Sequence, residues 1–113
     1  RRTEEELAAL TNIYSFNNDD LIIDTDKHEV KKKGEIVNLT QSEYKILITM
    51  LNYTHKAFTR EELVRKALGE DYDGFDRVID THVKNLRQKI ETNPKEPQYV
   101  VTIHGVGYRF GGE

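Results

Sequence analysis

Arg77-Val-Ile-Asp-Thr-His-Val-Lys-Asn-Leu-Arg-Gln-Lys-Ile90 is the stretch that decides how this 113-residue chain folds. At about 100° per residue, Ile79, Val83, Leu86 and Ile90 share one side, joined by Val78. Arg77, Thr81, Lys84, Asn85 and Gln88 come round to the other, flanked by Arg87. The pattern predicts an amphipathic helix from about Asp76 to Glu91, because Pro94 and Pro97 forbid its continuation. Long and hydroxylated donors suit phosphate oxygens and base edges, and an asparagine amide can meet adenine at two points. Only Asp80 and Glu91 oppose them. Any amphipathic helix must also show water a polar face, so this helix alone leaves two readings open, nucleic-acid contact and plain solvation.

Downstream, Tyr99 to Ile103 and Tyr108 to Phe110 flank His104-Gly105-Val106-Gly107, which predicts a terminal hairpin. Gly105 and Gly107 read as turn residues rather than ligand contacts. Upstream, Thr59 and Glu62 form a capping box ahead of Leu63, Val64, Ala67 and Leu68, and Gly69 is placed to end that helix in a left-handed conformation. Thr40 and Glu43 repeat the box, and Tyr44, Leu47, Ile48 and Leu51 are expected along one buried stripe of a helix running to about Tyr53. Before it lie four short runs: Tyr14 to Phe16, Leu21 to Asp24, His28 to Lys32 and Glu35 to Leu39. Asn17-Asn18-Asp19-Asp20 and Lys33-Gly34 are their turn signals, with Gly34 supplying the positive φ of a tight hairpin. The expected class is α+β: a winged helix-turn-helix with an N-terminal four-stranded antiparallel sheet, three helices and a C-terminal β-hairpin wing.

Composition bounds the alternatives. A chain of this length is one domain that buries roughly two-thirds of its unfolded surface. Without cysteine it has no disulfide framework or thiolate nucleophile, and its apolar runs, such as Leu21-Ile22-Ile23, are too short for a membrane span or signal peptide. A cytoplasmic domain is expected, with no membrane partner. The formal charge of -3 counts against a nucleic-acid binder until it is divided. Residues 1–76 carry 11 basic and 16 acidic side chains, a net of -5, whereas residues 77–113 carry 6 and 4, a net of +2. The positive end is the helix and hairpin of the opening stretch.

Taken together, residues 77–90, Pro97, Tyr99 and Thr102-Ile-His-Gly-Val-Gly-Tyr-Arg-Phe110 resemble the effector domain of OmpR/PhoB-type response regulators of bacterial two-component systems. Leu39-Thr-Gln-Ser-Glu-Tyr44 and Thr59-Arg-Glu-Glu-Leu63 look like the same family in the same order, and the resemblance covers roughly residues 13–110. It implies a sequence-specific duplex-DNA-binding transcription regulator, with the third helix in the major groove and the wing on the backbone and adjacent minor groove. Residues 13–113 would be that domain. Residues 1–12, which begin with Arg and place Thr3 and Glu6 at capping-box spacing, would be a linker or short helix remnant from a missing receiver domain.

Position by position, the resemblance gives Arg77, His82, Arg87, Thr102, His104 and Tyr108 backbone or wing roles, with Lys84 near the backbone as well. Asn85 stands where family members contact a base, and Thr81, Lys84 and Gln88 join it as base-reading candidates from the facing argument. Two departures matter. His104 replaces an arginine that some relatives send into the minor groove, and Leu68 replaces a tryptophan that can donate to phosphate. The acidic run Glu70 to Asp76 corresponds to a loop that can contact RNA polymerase, which makes Glu70, Asp71 and Asp73 partner-binding candidates; a solvated loop fits equally. The resemblance further implies direct-repeat half-sites, a head-to-tail dimer on DNA and a cognate sensor histidine kinase.

Other features read more plainly. Lys31-Lys32-Lys33 is expected to be a solvated turn rather than a second phosphate track, and Arg109 fits a strand surface as well as a DNA contact. Tyr14, Phe16, Tyr44 and Tyr53 are expected to be core or half-buried, since no basic residues interleave with them as a single-strand groove requires. An enzyme is the opposing class. Asp80 and His82 do not face each other on a helix, and no HxxxH spacing, phosphate-cradling glycine loop or nucleophile elbow is present, so no catalytic residue, metal or cofactor is expected. A winged helix that binds only protein is a third reading, with the acidic loop as its best feature.

Overall fold

The computed structural model describes residues 12–69 and 77–111. Expectations for the 1–10 segment, for Asp76 as the start of the third helix and for the loop bearing Glu70, Asp71 and Asp73 lie outside the described residues. The chain divides into two units, 1–38 with 113, and 39–112.

The first unit is a meander of β1 (Ile13–Phe16), β2 (Leu21–Asp24), β3 (Glu29–Lys32) and β4 (Glu35–Val37), antiparallel throughout. Residues directly opposite share a face, so Tyr14, Ile23, Val30 and Val37 lie on one side of the sheet. Leu21, Ile23 and Val30 are buried there. The turns follow the side chains: Lys33 and Gly34 both take positive φ between the paired Lys32 and Glu35, as a two-residue hairpin of matching twist requires. His28, expected in β3, instead has φ 52 and belongs to the preceding turn. Asp24 shapes that turn by accepting the N–H groups of Asp26 and Lys27 at 3.1 Å each.

Two expectations for this unit need correction. Lys32 is not solvated; its ammonium pairs with Asp20, and its side chain is only 12% exposed. Tyr14, on the edge strand, is 41% exposed rather than buried, because β1 has a neighbour on one side only.

The second unit holds α1 (Gln41–Leu51), β5 (Phe58–Thr59), α2 (Arg60–Leu63, continued as a π-helical turn over Val64–Leu68), α3 (Val78–Ile90), β6 (Val100–Ile103) and β7 (Gly107–Phe110). Both capping boxes form as the spacing predicts: Thr40 with Glu43, and Thr59 with Glu62. The wing gains a strand that two residues could not signal, since β5 pairs with β7 to give the order β5-β7-β6. With the first unit this is the α+β winged helix with an N-terminal four-stranded sheet.

The core joins Ile46, Leu47 and Met50 of α1 to Phe58, Leu63, Ile79, Leu86, Ile90, Tyr99 and Phe110. The buried side of α1 is thus rotated from the expected stripe: Glu43, Ile46, Leu47, Met50 and Leu51 are buried, and Tyr44 and Ile48 only half so. Tyr53 is 55% exposed, its ring meeting Phe58 edge-on at 6.1 Å. Gly69 does have positive φ (101), but its ψ of 158 puts it outside the left-handed helical region, in a conformation open essentially to glycine alone. Its N–H closes the π turn onto the Val64 carbonyl at 3.0 Å.

Candidate nucleic-acid interface

α3 shows its two faces as its period demands. Ile79, Val83, Leu86 and Ile90 are buried, while Arg77 before it and Thr81, Lys84 and Gln88 along it are exposed. His82, Asn85 and Arg87 are half-buried at the margins of that stripe. The exposed residues sit three and four apart, so one surface can meet them along two to three helical turns.

The wing is fastened to this helix by side chains. Arg87 donates through Nε to the Val100 carbonyl at 3.0 Å and through Nη2 to Thr102 Oγ1 at 2.6 Å. Its guanidinium carbon also lies 5.5 Å from the Tyr108 ring centroid. The Tyr108 hydroxyl donates to Asp80 Oδ1 at 2.6 Å, and Arg60 Nη1, at the start of α2, donates to Asp80 Oδ2 at 3.2 Å. Burial pushes the Tyr108 phenol up to about 12, helped by its bond to Asp80 and that residue's charge and opposed by Arg87 and Arg60. Arg87 therefore links Thr102 and Tyr108, two other wing and backbone candidates, which face each other across the β6-β7 pair. His104 is exposed at the hairpin tip.

Gly105 and Gly107 differ in why they are glycine. Gly105, at φ 80, is the third residue of the turn that Val106 N–H closes onto the Ile103 carbonyl at 3.0 Å. Gly107 is not a turn requirement, contrary to the expectation. A Cβ there would lie 2.1 Å from the Phe58 carbonyl oxygen, so its role is the close approach of β7 to β5. Between α3, the start of α2 and the wing lies a cleft of about 380 Å³ lined by Arg60, Asp80 and residues 102–108.

The far end of α3 is held as firmly. Glu91, which the sequence presents as an acid opposing DNA contact, is buried and turned inward, accepting the N–H groups of Gln98 (2.7 Å), Tyr99 (3.1 Å) and Val100 (2.8 Å). Lys89 reaches back to Glu43 Oε1 at 2.6 Å, tying α3 to α1. Burial alone would raise the Glu43 carboxyl. The Lys89 bond, the Thr40 N–H and the charges of Lys89 and His82 together hold it below its ordinary value.

Sequence reasoning missed the positioning parts of this site: Arg60, Asp80, Lys89 and Glu91. One signal was available. An acid such as Asp80, set among basic residues on a surface meant for phosphates, calls for a partner elsewhere.

Comparison with known proteins places this geometry. The family described as transcriptional regulatory protein, C terminal, matches residues 34–110. The DNA-binding response regulator MtrA of Mycolicibacterium smegmatis is 35% identical over 111 residues, covering 98% of this chain and 46% of its own. YcbL of Bacillus subtilis, an uncharacterized transcriptional regulatory protein, is 38% identical over 91 residues, 80% of this chain and 40% of its own. The chain therefore spans less than half the length of these curated relatives. Among solved structures, the response regulator DrrB of Thermotoga maritima, an OmpR/PhoB homologue, superposes with a TM-score of 0.81 at 34% identity, covering 96% of this chain and 52% of that one.

Proposed function

This chain belongs to the C-terminal domain family of transcriptional regulatory proteins, in its OmpR/PhoB group, a DNA-binding domain and not an enzyme, and from that premise we propose how it works. The exposed stripe of α3 reads base edges in the major groove of duplex DNA through Thr81, Lys84 and Gln88, with Asn85 reaching in from its margin. Arg77, His82, Arg87, Thr102, His104 and Tyr108 fix the register against the sugar-phosphate backbone and along the minor groove. The observation that supports this reading is the seam of Arg87, Thr102, Tyr108 and Asp80, which ties helix and wing into one surface. A recognition helix held by its own domain loses little freedom on binding, so its contacts translate into affinity.

In the whole protein, residues 13–113 act as the output of a two-component response regulator. Residues 1–12 lead from an N-terminal receiver domain whose phosphorylation by a sensor histidine kinase controls head-to-tail dimerisation. Two copies then occupy direct-repeat half-sites about one helical turn apart. Glu70, Asp71 and Asp73 form a contact for RNA polymerase, and the protein works in the bacterial cytoplasm. The excess acid of residues 1–76 limits indiscriminate phosphate binding and leaves more of the preference to base contacts.

Selection of bound duplexes from a random pool, followed by a salt titration on the winner, tests this directly. The expected result is an enriched duplex whose log affinity falls linearly with log salt, with a slope of about -0.9 per phosphate contact. Failure to enrich any duplex would leave the protein-binding reading in its place.

A further inference from the structure

Asp80 is the single acid within α3, and it lies one residue from Thr81 and four from Lys84 on the exposed side of the helix. Its side chain is 47% exposed. By charge alone it opposes phosphate binding, so its presence there needs another reason. Both of its oxygens are engaged, and in different directions. Oδ1 accepts from Tyr108, 28 residues downstream in β7, and Oδ2 from Arg60, 20 residues upstream at the head of α2. Arg87, two helical turns beyond Asp80 and hence on the same side of α3, covers the ring of the same tyrosine. Tyr108 is thus gripped at its hydroxyl by one residue of α3 and at its ring by another.

Resting on the reading that α3 and the wing bind duplex DNA, we propose that Asp80 is a positioning residue for recognition: it sets the wing against α3 through Tyr108 and Arg60, and makes no contact with DNA itself. Its negative charge is the penalty of that brace. Asp80 also lines the cleft between helix and wing, the space across which the two would drift if the bonds were lost.

The test compares Asp80→Ala with Asp80→Asn in the full 113-residue chain, on the duplex selected by the unmodified protein and on a scrambled duplex. Both substitutions remove the same charge, so electrostatics alone has both binding every duplex more tightly, to the same extent. Positioning separates them. The asparagine keeps an oxygen for the Tyr108 hydroxyl and binds the selected duplex within about twofold of the parent. The alanine loses roughly tenfold on that duplex despite being the more basic protein, and loses nothing on the scrambled one. A readout independent of DNA accompanies it: the Tyr108 ring resonance, followed by NMR against pH, titrates lower in Asp80→Ala than in the parent, because burial still holds the phenol up but the bond and charge of Asp80 are gone and Arg87 and Arg60 are left as the facing charges. Equal tightening by both variants, or an unmoved Tyr108 titration, overturns the brace. Absence of any selected duplex for the parent, with the titration still shifted, overturns the DNA-binding premise and with it the recognition role of Asp80.

Discussion

The N-terminal sheet and the wing are both antiparallel and both closed by a glycine-bearing turn, yet the sheet is rich in charge and pairs it locally, whereas the wing has Arg109 alone and takes its charged partners from α3. In the sheet, Lys32 pairs with Asp20 and Ser15 with Asp19, partners at most 12 residues apart within one meander. In the wing, the charged partners of Thr102 and Tyr108 lie on α3, 15 and 28 residues away, and the buried Glu91 at the end of α3 gathers three N–H groups of the strand-entry segment. A local pair steadies the strands that carry it. A pair between elements fixes the angle between them, and a surface that must match the shape of a duplex depends on that angle.

The glycines sharpen the contrast most. Gly107→Ala should cost the most of any change named here, about 3 kcal/mol or more in denaturant melts, because the new methyl meets the Phe58 backbone carbonyl and neither strand can yield without breaking the β5-β7 pair. Glu91→Ala should follow at about 2–3 kcal/mol, since it strips the acceptor from three N–H groups around a buried position. Gly34→Ala, in the sheet, should cost only about 1–2 kcal/mol: nothing lies within 4 Å of its Cβ position, and the penalty is that of a side chain at φ 83. If Gly34→Ala proved as damaging as Gly107→Ala, the distinction between local and between-element packing would fail.

Titration gives the smallest effects, and their signs are fixed. Glu43 and Glu62 sit below their ordinary values when folded, Glu62 at about 2 through the Thr59 N–H and Lys56. A depressed carboxylate stabilises the fold above its unfolded value of about 4.5 and loses that contribution as pH falls through the folded one, so stability should decline below pH 4.5, less steeply in Glu43→Gln. Tyr108 runs the other way. Its phenol, raised to about 12, favours the folded state below pH 10 and gives that up between 10 and 12, so Tyr108→Phe should flatten the alkaline limb of a melting-temperature profile.

What could be read from the sequence follows the same division. The two capping boxes and the α3 stripe were legible because their partners lie three to four residues apart, within reach of a periodic pattern. The four strands and the hairpin were legible from their turns. The rotated face of α1 was not, because the cation that compensates the buried Glu43, Lys89, lies 46 residues away. Nor were β5, which has two residues and hence no period, the π turn of α2, or the roles of Arg60, Asp80 and Glu91, whose partners belong to other elements. The stripe that faces outward on α3 was therefore visible before the scaffold that aims it.

The central claim is that this outward stripe reads bases. It is tested most directly by repeating the duplex selection with Asn85→Ala beside the parent and comparing the two sequence preferences. The account predicts a loss of about 1–3 kcal/mol on the parent's duplex and a relaxed preference at one position of each half-site. An unchanged preference, with affinity reduced equally on all duplexes, would contradict it.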